Sequence, residues 1–169
     1  AMMLEESFVD LFKALIKKLN QLHRDQSHLR GEFQKVLDAI FSPENSSLFV
    51  PLLQSKDSQK PLLEALLEGP PSSARLMIKL LGVASWAPKV FAEFILKHAP
   101  SVSSWINETA AKKPDEVYWE HFINILSLRP NRLFQDFLNT LLGSAGETLK
   151  LKVLRQCAIN GTSESLKVF

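Results

Sequence analysis

The feature that most constrains this chain is the spacing of its helix breakers. Pro70, Pro100 and Pro130 stand thirty residues apart, and Gly161 follows thirty-one residues later. Each interval holds a second break: Ser85–Pro88, Pro114, and the turn at Gly143–Gly146. Proline disfavours helix in the residue before it and fits the first turn after it. Residues suited to N-capping stand near the breaks, namely Ser72, Ser85, Ser101 and Thr162, and Ser144-x-x-Glu147 reads as a capping box. The stretch "SWAPKVFAEFILKHAPSVSSWI" therefore stops one helix and starts the next. Each thirty-residue block divides into two pieces of helix length, which predicts successive antiparallel helix pairs. Such a pair cannot bury its apolar face alone, but stacked pairs can.

The N-terminal part follows a different rhythm. Leu4, Phe8, Leu11, Phe12, Leu15, Ile16, Leu19 and Leu22 recur in steps that form one broad stripe of an amphipathic helix. Acidic Glu5, Glu6 and Asp10 come early and basic Lys17, Lys18 and Arg24 late, as the helix macrodipole favours. A second helix is predicted over about Leu29–Phe41. Leu48–Leu53 is a short apolar run interrupted by Pro51. Asp57–Lys60 reads as a turn or cap, with Pro61 in a first turn, and "LLEALLEG" runs to a C-terminal cap at Gly69. The one β-like alternation, "LKLKV" at Leu149–Val153, continues at helical spacing through Leu154, Cys157 and Ala158 and reads as helix. The predicted fold is all-α, an irregular helical-repeat bundle or solenoid of about nine or ten helices in antiparallel pairs. Residues 1–57 form its N-terminal helices, residues 58–169 form the stacked pairs, and the two parts pack as one domain.

Paired helices with this punctuation resemble the HEAT/armadillo class of α-solenoids over roughly Ser58–Phe169. The unit is shorter than the ~40 residues of that class, and no ladder of Asp and Arg recurs at fixed positions. The resemblance implies a scaffold that binds partners along a concave surface or at its ends.

At 169 residues the chain can bury a core without covalent staples. Twenty basic and eighteen acidic residues leave a net charge of +2, too balanced to imply nucleic acid or an anionic membrane by itself. A single cysteine excludes an internal disulfide and suits a reducing compartment, cytoplasm or nucleus. No apolar run reaches membrane-spanning length, and Glu5, Glu6 and Asp10 interrupt any signal peptide. Ala1-Met2 reads as a cloning remnant. The terminal "ESLKVF" stops inside a new helix, as in a piece of a larger protein.

Residues capable of chemistry are few and scattered. No phosphate loop, nucleophile elbow or zinc-binding spacing occurs. His23 and His28 are spaced poorly for two ligands on one helix face. Cys157 sits on the apolar side of its helix. Asp115, Glu116, Glu120 and His121 suit a helix start better than acid–base work. Neither an enzyme nor a cofactor, a metal or a small-molecule substrate is expected. Two LxxLL strings, at Leu63–Leu67 and Leu138–Leu142, read as core. For a protein partner, Tyr118 and Trp119 are the expected exposed anchor, since they widen the stripe of Val117, Phe122 and Ile125. For the alternative, nucleic acid bound through phosphates, the candidate basic surface is Lys17, Lys18, Arg24, Arg30, Lys150, Lys152 and Arg155.

Overall fold

The computed structural model describes residues 2–82, 89–127 and 132–160. Every regular element among them is helical, so the all-α expectation holds. Ten α-helices are present among the described residues: α1 Met2–Asp25, α2 Arg30–Ile40, α3 Ser46–Gln54, α4 Lys56–Leu67, α5 Ala74–Leu80, α6 Lys89–His98, α7 Ser103–Lys112, α8 Tyr118–Leu126, α9 Arg132–Ser144 and α10 Glu147–Asn160. Short 3-10 turns lead into several of them. The chain forms two compact units, residues 1–80 and 81–169. Within the first of these, α4 lies along α1 and shares its core.

In the first unit α1 packs on α2 and α4, while α3 packs on α4 and α5. One half of the broad α1 stripe supplies the core: Val9, Phe12, Ile16 and Leu19 are buried, as are Phe41, Phe49, Leu62 and Leu66. Phe12 meets the rings of Phe41 and Phe49 at 6.1 and 5.5 Å between centroids, arrangements that suit the ring quadrupoles. Two side chains close helix ends. The Asn45 amide donates to the carbonyls of Ala39 and Ile40 at 2.8 and 3.1 Å, and that of Gln59 donates to the Leu53 carbonyl at 3.1 Å. Both satisfy last-turn carbonyls that the helix leaves open.

Pro51 and Pro61 lie inside α3 and α4, where a break and a first turn were expected. Each proline withholds an N–H from the carbonyl four residues back. Those residues, Ser47 and Asp57, are exposed, so water can pair with what the proline leaves. Gly69 follows α4 as predicted, but its role is clearance. A Cβ there would stand 2.9 Å from two carbons of the Phe41 ring.

In the second unit alternate helices pack together: α7 against α9, and α8 against both α6 and α10. The α7–α9, α6–α8 and α8–α10 contacts join helices of successive thirty-residue blocks, whereas α5, in the first unit, packs on α3. An aromatic cluster fills the interior. Trp119 is fully buried, with the rings of Tyr118, Phe122 and Phe137 at 4.6, 5.9 and 5.2 Å. The capping box at Ser144 does not form. α9 runs through Ser144, whose hydroxyl donates back to the Thr140 carbonyl at 2.9 Å. Ala145 and Gly146 then make the turn. Ser101 and Ser72 also form no N-cap: Ser101 Oγ donates to the His98 carbonyl and Ser72 Oγ to Asp38. Ser85 and Thr162 lie outside the described residues.

Candidate interaction surfaces

Tyr118 and Trp119 are not an exposed anchor. They are 5% and 0% exposed. The first turn of α8 points both rings inward, and the Trp119 indole N–H donates to the Lys113 carbonyl at 2.8 Å. Lys113 is the C-cap of α7, so the indole closes that helix end while its ring fills the core. The Tyr118 hydroxyl is buried with no hydrogen-bond partner among the described residues. Burial, helped by nearby Glu116, pushes its pKa up to about 12. Val117, just before them, is the residue left exposed.

The basic residues fall in both units. Lys17, Lys18, Arg24 and Arg30 are exposed in the first, Lys152 and Arg155 are exposed in the second, and Lys150 is half-buried. A groove of about 470 Å³ runs past Lys13, Lys17, Asn20, His23, Arg24 and Glu68. Its cations are partly answered from within. Lys13 pairs with Glu64 at 2.5 Å, which raises the lysine pKa and lowers that of the carboxyl. The Asn20 amide donates to the Glu68 carbonyl at 2.9 Å. A second hollow, of about 270 Å³, lies between α8 and α10 beside Ile123, Leu149, Val153 and Arg155. There Lys152 reaches Glu120 at 2.6 Å. Arg30 lies on neither groove.

The remaining candidates do not converge. Asp115 and Glu116 occupy the turn before α8, Glu120 is held by Lys152, and His121 is half-buried. His98 packs at 4.4 Å on the Phe94 ring, and burial, with Lys97 adjacent, lowers its pKa. The Cys157 side chain lies outside the described residues. Among those residues no three His, Cys, Asp or Glu side chains come together in a way that could hold a metal ion. No described helix is long and apolar enough to cross a membrane. The LxxLL leucines belong to the core: Leu66, Leu138 and Leu141 are buried, and Leu63, Leu67 and Leu142 are half-buried.

The surface feature that the stripe pattern hid lies on α1. Phe8, Leu11 and Leu15 are 47%, 70% and 48% exposed, at steps of three and four residues. They form a ridge beside the buried face of Val9, Phe12, Ile16 and Leu19. Large apolar residues scattered singly on a surface are ordinary, whereas these three are aligned on one face of one helix. Their signal was in the sequence: one helix carries two apolar registers, and α2 and α4 cover only one of them.

Compared with known protein families, curated proteins and solved structures, the chain finds no significant match.

Proposed function

We propose that this chain is a non-enzymatic scaffold or adaptor segment that binds another protein through its helical surface. The observation that carries this is the ridge of Phe8, Leu11 and Leu15. Leaving three large side chains about half or more exposed on one face forgoes part of the roughly 1.5–3 kcal/mol that full burial of each would give. A partner helix or groove recovers that energy. Alternate-helix packing in the second unit supports a paired-helix scaffold of the solenoid type. The single cysteine suits the cytoplasm or nucleus.

Affinity capture with the intact chain tests this beside Leu11→Lys. Leu11 is 70% exposed, so the substitution leaves the core alone. The expected result is loss of captured proteins by about tenfold or more from a variant with unchanged circular dichroism. Identical capture by both chains overturns the ridge as the binding face.

A second reading, nucleic acid held by phosphate contacts, is favoured by the groove of Lys17, His23 and Arg24. It predicts oligonucleotide retention that falls steeply with salt and is lost in a Lys17→Glu, Arg24→Glu chain. The pairing of Lys13 with Glu64, and Glu68 in the groove wall, weaken its pull on phosphate.

A further inference from the structure

We propose that the occupant of the α1 ridge is a second copy of this chain, with the two α1 helices packed antiparallel. The proposal rests on the ridge being a protein-binding face and goes further by naming the partner. Three observations support a second copy.

The first is spacing. Phe8, Leu11, Leu15, Lys18 and Leu22 alternate in steps of three and four, with Leu4 continuing the series in sequence. That is the a/d pattern of a coiled-coil seam, distinct from the register α1 uses for its own core. Phe8, Leu11, Leu15 and Lys18 are all exposed, and Leu22 is half-buried.

The second is the place of the one charged member. In a parallel pair each seam position meets itself, so Lys18 would face the partner's Lys18. In an antiparallel pair centred between Leu11 and Leu15, each a position meets a d position. Leu11 then packs on the partner's Leu15, and Lys18 lies over the ring of the partner's Phe8. A lysine stem and head above an aromatic face is favourable, whereas two ammonium groups face to face are not. The same centring brings Ala14, which is exposed and flanks the seam, onto the partner's Ala14. A methyl group there lets the helices approach.

The third is charge along the helix. Glu5, Glu6 and Asp10 outnumber Lys13 in its first half, while Lys17, Lys18 and Arg24 outnumber Asp25 in its second. Antiparallel copies lay acidic half against basic half in both directions, with the helix dipoles opposed. A seam this short places the interface at the small end of specific contacts. Dimerisation is therefore concentration-dependent.

Sedimentation equilibrium on the intact chain, over two decades of concentration, tests the proposal with two variants. Leu11→Lys and Leu15→Glu each place a charge against the partner's leucine. Each should weaken the dimer about tenfold or more while circular dichroism stays unchanged. Mixed together they should re-form a dimer. The introduced ammonium of one chain then meets the introduced carboxylate of the other, while the remaining Leu15 still meets the remaining Leu11. A parallel pair offers no such match. A wild-type chain that stays monomeric throughout overturns the proposal, as do variants that still dimerise or a mixture that stays monomeric. If the charged variants misfold, Ala14→Cys in a Cys157→Ser background decides. Oxidation should link two chains through the introduced thiols in high yield, and failure to link overturns the antiparallel register. A monomeric wild type whose Leu11→Lys form still loses a captured protein defeats self-pairing alone and leaves the scaffold reading standing.

Discussion

Tyr118 illustrates how much one side chain can depend on its surroundings. Its ring is an asset to the core, but its hydroxyl lies buried without a partner among the described residues. An unmet buried polar group costs desolvation free energy that no bond returns. Tyr118→Phe should therefore raise stability by about 1 kcal/mol, read by denaturant unfolding. Ionisation tells the same story. The folded pKa is about 12 against an ordinary 10.0, so the folded state holds the proton more tightly. The stability tied to this group is fully present below pH 10.0 and is lost as pH rises through about 12. This is the sole tyrosine. The tyrosinate absorbance band should thus titrate late in the folded chain, and return to the ordinary value in denaturant. Sequence alone placed Tyr118 on a helix but turned it outward. Val117, Phe122 and Ile125 already made a stripe, and nothing local said that the packing of α7 and α9 would draw in a second face. The fully buried Trp119 depends on that packing, since its indole N–H ends on the C-cap of α7.

Among the elements, α4 shows why a correct boundary can carry the wrong reason. Gly69 was legible as the end of a helix, and the helix does end at Leu67. Its backbone is not in the left-handed region that usually selects glycine at that place. What selects it is the Phe41 ring, 2.9 Å from where a Cβ would be. Because Phe41 is only 1% exposed and itself wedged against Phe12, it has little room to give. Gly69→Ala should cost about 1–3 kcal/mol, visible as a lowered denaturation midpoint with unchanged slope. The helix starts were less legible than the stops. Proline and glycine disfavour helix by covalent geometry, which a sequence displays, although Pro51 and Pro61 sit inside α3 and α4. Serine can cap the next helix or bond back to its own, and Ser144 does the latter because α9 continues through it. On α1 the hydrophobic period was plain. Yet periodicity could not tell which apolar residues meet a neighbour, so Phe8, Leu11 and Leu15 belonged to one undivided stripe until the positions of α2 and α4 were known.

At the scale of the molecule, the thirty-residue punctuation foretold two helices in each block. It did not show that α6 and α10 would pack on α8 and α7 on α9, while α5 joined the first unit. The boundary between the two units was hidden as well, since it depends on α4 returning to α1 rather than on any break in composition. Self-association through α1 carries a bulk consequence. A folded dimer in equilibrium with monomer is stabilised by mass action. The melting temperature of the wild type should therefore rise with protein concentration, and that of Leu11→Lys should not. Differential scanning calorimetry at two concentrations checks this. A concentration-independent midpoint for the wild type counts against pairing of the folded chains.

The three tryptophans, Trp86, Trp105 and Trp119, all lie beyond residue 80. The first unit, rich in phenylalanine, has no indole at all. Ultraviolet emission from this protein is consequently a private channel of residues 81–169, while far-ultraviolet circular dichroism integrates both units. Melting curves from the two methods that superimpose would mean the halves lose their order together. An emission curve displaced from the dichroism curve would time the unfolding of each half within one unlabelled sample.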